Sequence, residues 1–288
     1  IEPKSSGAEQ KISETLHRLV DEDSTFKVSR DVQTHELVVT GMSNLHLDVI
    51  LSRLKSRYGI DVESRQPKIP HKETITTKAS AQYKHKKQTG GKGQYGEVYL
   101  RIEPLERGGG FQFVSKIVGG AIPSQYIPAV EKGLRETIAK GILSNNPIVD
   151  VKVELYDGTF HNVDSSEAAF KVAASKAFHL AFDDAKPVLL EPVVNIEVTI
   201  PSEFMGEITG NLSSRRGRVQ GMDSFGDLQV IQASIPMEEV KNYETELKSM
   251  TGGRGSYTMA LSHYDVVPSH LVPLIIAQAK KETEKADK

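Results

Sequence analysis

The residues best suited to chemistry lie in one stretch, Tyr83 to Gly96, which reads YKHKKQTGGKGQYG. Between Ile75 and Gly96 stand five lysines, Lys78, Lys84, Lys86, Lys87 and Lys92, and no acidic residue. Gly90, Gly91 and Gly93 can present backbone N–H groups and tolerate positive φ. Lysines on such a loop, with Gln94 and Tyr95 beside them, suit phosphate contacts and base stacking. The same composition also suits a solvated hairpin whose lysines serve solubility. GKGQYG matches G-x-G-x-x-G, but a dinucleotide fingerprint needs a strand before it and a helix after it. Here Glu97-Val98-Tyr99-Leu100-Arg101-Ile102 alternates as a strand. A protein kinase does place its glycine loop in a hairpin, yet it also needs H-R-D and D-F-G, and the chain contains neither.

Three further clusters carry polar chemistry. TGGRGSY at 251–257 repeats the pattern of TGGKGQY at 89–95. It reads either as shared turn chemistry or as a second backbone anion site. Ser213-Ser214-Arg215-Arg216-Gly217-Arg218 is a basic cluster, suited to a salt-bridged surface or to RNA. Phe160-His161-Asn162 lies between a predicted strand and a predicted helix, and His161 is the best placed of the nine histidines. No second histidine or carboxylate is spaced to complete a metal site with it. Asp164 reads as a helix cap, not a catalytic acid.

The elements that position these residues follow from patterning. The chain has 288 residues, a net charge of −2 and no cysteine. It is long enough for two or three domains and can form neither a disulfide nor a thiolate metal site. No apolar run is long enough for a membrane span. The opening residues show no secretory pattern, and the lack of cysteine fits a cytosolic protein. The first residue is not methionine, which fits a piece of something longer. Charge acts over about 10 Å in physiological salt, so local basic surfaces are compatible with the acidic balance.

Ser6-Gly7-Ala8-Glu9 reads as a capping box, followed by Ile12, Leu16, Leu19 and Val20 on one helical face. Phe26, Val28 and Val32 predict a strand, and Leu37 to Thr40 its partner. Ser43 caps a second helix that ends at Tyr58-Gly59, and Asp61-Val62-Glu63 begins a last strand. With a short strand at Ile1-Glu2 the order is βαββαβ, a ferredoxin-like domain. Past Pro67 and Pro70, strands are predicted at 74–83, 95–103 and 111–114, and a helix lined by Val130, Leu134 and Ile138. Val149, Val151, Val153 and Leu155 alternate as a half-buried strand, with a turn at Asp157-Gly158. A helix follows, capped by Asp164-Ser165-Ser166-Glu167, whose stripe is Phe170, Ala173, Ala174, Ala177, Phe178 and Ala181. From Val194 the βαββαβ order returns, with helices near 202–212 and 237–249. Pro268 and Ser269 open a final helix that needs cover for Leu271, Val272, Ile275 and Ile276.

Taken together, GMSNLHLDV (41–49), KQTGGKGQYG (87–96), VGGAIPSQYIPAVEKG (118–133), FHNVDSSEAAFKVAASKAF (160–178), PVLLEPVV (187–194), SSRRGRVQGM (213–222) and GGRGSYTM (252–259) resemble the third to fifth domains of translation elongation factor G. The resemblance covers nearly the whole chain. It implies an α+β protein with two ferredoxin-like domains, 1–72 and 191–267. Between them comes a ribosomal-protein-like domain, 73–190 plus 268–288, with a left-handed βαβ crossover, against the usual rule. It implies a cytoplasmic, monomeric translational GTPase that moves transfer and messenger RNA through the ribosome. The fourth domain would reach the small-subunit decoding region, and other parts would meet large-subunit rRNA. Gly90, Gly91, Lys92, Gly93 and Gln94 match one tip loop and His161 the histidine of the other. The RNA-facing set expected is these with Lys86, Lys87, Asn162, Arg215, Arg216 and Arg254, with no catalytic residue and no metal ligand. The chain has no G-x-x-x-x-G-K-[ST] and no N-K-x-D, so it should hold no cofactor. GTP and Mg2+ are expected only in an N-terminal domain outside it.

The chain departs from the family where Ser43-Asn44-Leu45-His46-Leu47-Asp48 stands for GELHLE, and where Lys72 and Lys248 replace arginines. These changes make a paralogue acting in ribosome recycling or ribosome protection the alternative. A small-molecule kinase shares the fourth domain's fold, but it would need a glycine-serine loop at a helix N-terminus. Residues 163–167 have Ser165 and Ser166 without the glycine.

Overall fold

The computed structural model describes residues 1–4, 9–31, 33–88 and 93–286. They fall into two compact units, Ile1–Pro70 with Val193–Ser262, and His71–Pro192 with His263–Lys288.

The first unit begins with β1 (Glu2–Pro3), α1 (Glu9–Glu22), β2 (Lys27–Arg30), β3 (Leu37–Thr40), α2 (Asn44–Tyr58) and β4 (Val62–Glu63). This is the βαββαβ order that the periodicity predicts. The strands form two antiparallel ladders, β1 with β4 and β2 with β3, and the Ile1 nitrogen donates to Leu37 O at 2.8 Å. Helical spacing puts Ile12, Leu16 and Leu19 of α1 on one face, and they bury with Ile50, Leu54 and Phe26. Ser43 caps α2, its Oγ accepting from the His46 N–H at 3.1 Å. Ser6, Gly7 and Ala8 of the expected capping box, and Val32, lie outside the described residues.

The second unit holds β5 (Lys72–Ile75), β6 (Ala79–Lys87), β7 (Gln94–Pro104), β8 (Phe111–Ser115), α3 (Ile127–Lys140), β9 (Val151–Thr159) and α4 (Glu167–Asp184). Its main sheet has the order β6-β7-β9-β8. Within that sheet β8 and β9 pair in parallel and the other neighbours antiparallel, and α3 is the crossover between β8 and β9. α4 lies over β6 and β7 and packs on α3. Val98, Leu100, Ile102, Val153 and Leu155 from the sheet meet Val130, Leu134, Phe170, Ala174 and Phe178 from the helices in one buried core.

The structure corrects two expectations here. The single strand expected at 74–83 is two strands. The Thr76 and Thr77 N–H groups both donate to Ala185 O, at 3.2 and 3.1 Å, and the Thr76 hydroxyl donates to Lys186 O at 2.9 Å. That break sends β5 to the start of β10 (Pro187–Pro201) and β6 to β7. The turn expected at Asp157-Gly158 is also absent. Both residues lie inside β9, opposite Tyr99 and Val98, with a register shift between Tyr99 and Leu100. A Cβ on Gly158 would stand 2.4 Å from Ile122 Cδ1 and 2.5 Å from Glu97 O. The glycine therefore serves close approach, not a turn.

Glu73 on β5 is fully buried without an ion-pair partner among the described residues. Its Oε2 accepts from the N–H groups of Ile142 and Leu143, and its Oε1 from those of Ser144 and Asn146 and from the Ser144 hydroxyl. One carboxylate thus satisfies the loop that follows α3, which a buried backbone segment requires.

From Val193 onward β10 belongs to the first unit, followed by α5 (Met205–Ser214), β11 (Arg218–Phe225), β12 (Leu228–Pro236), α6 (Tyr243–Met250) and β13 (Ser256–Val266). The sheet order is β11-β12-β10-β13. Val194, Ile196, Val198 and Ile200 alternate inward onto Ile208, Leu212, Tyr243 and Leu247. α7 (Val272–Ala286) follows a turn in which the Leu271 N–H donates to Pro268 O at 2.9 Å. Leu271 in that turn and Val272, Ile275 and Ile276 of α7 are half-buried, while Leu274 is exposed. Among the described residues no helix is long and apolar enough to cross a membrane.

Candidate nucleic-acid interface

The hairpin of β6 and β7 carries the lysines, and the segment between β9 and α4 carries His161. The fold brings these two together at one end of the sheet. The Gly93 N–H donates to Asp164 Oδ1 at 3.0 Å, the Tyr95 N–H donates to Asp164 O at 2.9 Å, and Tyr95 forms an isolated parallel bridge with Ser165. Asp164 was expected to cap the helix, and that expectation fails. The cap of α4 is Ser166, whose Oγ accepts from the Ala169 N–H at 3.2 Å. Asp164 instead ties the two loops together. Gly93 does not adopt positive φ either. A Cβ there would lie 2.9 Å from Asp164 Cγ, so glycine is needed for the approach of that carboxylate. Gly90, Gly91 and Lys92 lie outside the described residues.

Two of the five lysines between Ile75 and Gly96 are committed to carboxylates of β7. Lys78 Nζ sits 2.8 Å from Glu103 and Lys84 Nζ 3.5 Å from Glu97. The Glu97 carboxylate, with the Tyr95 hydroxyl beside it, holds the Lys84 pKa above its ordinary value. Lys86 and Lys87 at the end of β6 are exposed and have no ion-pair partner among the described residues. The Tyr95 hydroxyl lies 2.7 Å from Thr159 Oγ1, which donates to Glu97 Oε2 at 2.6 Å. This pins the Tyr95 ring, whose centroid is 6.2 Å from that of His161 at an interplanar angle of 51°. Gln94 Oε1 is engaged by His85 Nε2 at 3.0 Å. His161 and Asn162 are exposed. The end of the sheet therefore offers uncommitted positive charge, an aromatic ring and an imidazole on a fixed frame, which suits phosphates and bases. Among the described residues no group of His, Asp and Glu could hold a metal ion.

Arg215, Arg216 and Arg254 belong to the first unit and so are not part of this loop pair. Arg215 has a side chain only 14% exposed, donates to Glu239 O and to Glu246, and lies 5.4 Å over the Tyr243 ring. Glu246 is held below its ordinary pKa chiefly by that guanidinium. Arg216 pairs with Glu239 at 2.9 Å, and Arg254 with Glu203 at 2.7 Å. The Gly-Gly-Arg-Gly segment after α6 reads as turn chemistry in the structure. Gly252 and Gly253 have φ of 58° and 82°. The Gly253 N–H donates to Lys248 O and the Gly255 N–H to Thr251 Oγ1. These donors close the end of a helix, so they are not presented to an anion.

Sequence reasoning missed Asp164 as the link, because no local pattern pairs residues 71 apart. It also missed Thr159 and Glu97, which face each other only through the β7–β9 register.

Three family descriptions match the chain in succession: elongation factor G domain III over residues 1–66, domain IV over 67–186, and the C-terminus over 188–274. An elongation factor G-like protein of Thermotoga maritima is 47% identical over all of this chain and 42% of its own length. A crystal structure of a Thermus thermophilus protein superposes with a TM-score of 0.82 at 42% identity, covering 97% of this chain and 42% of that one. The chain thus spans less than half the length of these relatives.

Proposed function

The chain belongs to the elongation factor G family, as its third, fourth and C-terminal domains, and from that membership we propose that it is the ribosome-binding arm of a translational GTPase. The observation that carries the reading is the junction at Asp164, which sets His161 beside the lysine-bearing hairpin. In this reading Lys86 and Lys87 meet rRNA or messenger phosphates, and the Tyr95 and His161 rings meet bases or ribose in the decoding region. The C-terminal domain faces large-subunit rRNA. The arm acts mechanically, moving tRNA and mRNA, and needs no nucleophile. GTP and Mg2+ are assigned to a segment outside this chain, because it lacks both nucleotide motifs. The protein works as a cytoplasmic monomer.

Ribosome co-sedimentation of the chain over a salt series tests the electrostatic part. The expected log–log slope is roughly −0.7 to −0.9 for each phosphate contact, and binding insensitive to salt would refute it. A translocation assay on the parent protein tests the rest. The departures at Ser43, Asn44, Lys72 and Lys248 carry a second reading, a paralogue of recycling or ribosome protection. A parent that splits or protects ribosomes without translocating would establish that one.

A further inference from the structure

We infer that the His161 ring is held as its Nε2–H tautomer and serves as a one-way hydrogen-bond donor to an RNA acceptor, with Asp164 the residue that positions it. The inference rests on the proposed RNA-facing role of this tip. Which ring nitrogen of a histidine carries the proton is set by what the other one meets. Here Nδ1 faces two backbone donors, the N–H of Val163 at 3.3 Å and that of Asp164 at 3.2 Å. Both require an unprotonated Nδ1. The third neighbour, Asp164 Oδ2, would accept from a protonated Nδ1, but it is farther away at 3.4 Å and its carboxylate is already engaged by the Gly93 N–H, so the two nearer backbone donors decide the tautomer. The neutral ring must therefore carry its hydrogen on Nε2.

The backbone around the ring is equally constrained. The His161 N–H donates to Ser165 Oγ at 2.9 Å, and the Ser165 N–H donates back to His161 O at 3.1 Å. The loop thus consumes the acceptor side of the imidazole and leaves Nε2–H outward on a side chain 54% exposed. Among the described residues Nε2 has no partner.

The chemistry that recognises such a group is an acceptor: a phosphate oxygen, a ribose 2′-oxygen or a base carbonyl. A single donor reads little sequence, and contacts to the backbone of a nucleic acid position without specifying. That property is what a device acting on every codon requires. Asp164 controls the geometry from three directions. Its N–H meets the ring, its carbonyl accepts from the Tyr95 N–H, and its carboxylate holds Gly93 of the lysine loop.

The test separates the tautomer from its use. Two-bond nitrogen–proton correlation spectra of the chain, with His161 assigned by its loss in variants, should show the Nε2-protonated pattern. A Nδ1-protonated pattern would overturn the inference whatever the protein does on ribosomes. In the parent protein, His161→Asn keeps an oxygen near the Nδ1 position but removes the outward donor. His161→Gln keeps a donor near Nε2 and gives up the inner acceptor. The asparagine variant should translocate about tenfold more slowly, and the glutamine variant should recover part of that rate. Equal rates for asparagine and wild type would refute the donor role. Asp164→Ala should blur the His161 spectrum, and Asp164→Asn, which retains an acceptor for Gly93, should restore it; an unchanged spectrum in Asp164→Ala would remove Asp164 from its positioning role. A wild-type parent without translocation activity would instead refute the broader functional reading.

Discussion

Replacing Glu73 with glutamine should destabilise the second unit although the side chain keeps its size. Oε1 accepts from Ser144 and Asn146, and Oε2 from Ile142 and Leu143. Glutamine has one oxygen, so its amide nitrogen must point at one of these pairs. Two hydrogen bonds then become donor–donor contacts. Each buried donor left without a partner costs about 1–3 kcal/mol. Ile142 and Leu143 are only half-buried, so water recovers part of that, and the expected loss is about 2–4 kcal/mol. Glu73→Ala orphans all of the carboxylate's donors and should cost more, about 4–6 kcal/mol. For a body of this size each kcal/mol moves the melting temperature by about 2–4 °C. Scanning calorimetry of the chain should therefore rank wild type above glutamine and glutamine above alanine. A glutamine variant that melts with the wild type, while alanine melts lower, would refute the reasoning. Packing of the side chain, and not its charge, would then hold the loop.

Two further outcomes follow from the same geometry. Gly93→Val would put a branched carbon into the contact at 2.9 Å from Asp164 Cγ. It should leave the melting of the chain nearly unchanged but slow translocation by the parent, and a general loss of stability without a selective loss of translocation would make the glycine purely structural. The Glu103 carboxyl is held down to about 2 from its ordinary 4.5, first by Lys152 and then by Lys78. Its folded pKa is lowered, so its contribution is fully present above pH 4.5 and is lost as pH falls through about 2. Glu103→Gln should flatten the acid limb of a urea-midpoint against pH curve in that window, by a small amount because the pair is solvent-screened; superimposable curves would refute the coupling.

Much of this protein is legible from local pattern. Ile12, Leu16 and Leu19, or Phe170, Ala174 and Phe178, bury together because helical spacing alone puts them on one face, and the structure finds them buried. The two βαββαβ orders and the cap at Ser43 are local in the same sense. The lysines without acids between Ile75 and Gly96, and the exposed position of His161, also come from composition and order along the chain.

What the tertiary structure alone decided depends on contacts between distant segments. Asp164 and Ser166 are both plausible caps in sequence. The hydrogen bond from Gly93 draws Asp164 outward and leaves the cap to Ser166. Asp157-Gly158 has turn chemistry, but pairing with β7 keeps it in the strand, and Ile122 takes the space a side chain would need. Two Thr-Gly-Gly-basic-Gly segments look alike in sequence, yet the one at 251–255 closes the end of α6, a role its composition does not distinguish from that of the stretch between β6 and β7. Arg215 reads as a surface cation until Tyr243, Glu239 and Glu246 enclose it. In each case the local preferences differ by about a kcal/mol. A buried hydrogen bond or a steric contact supplied by a distant strand is worth at least as much, so the distant partner makes the choice.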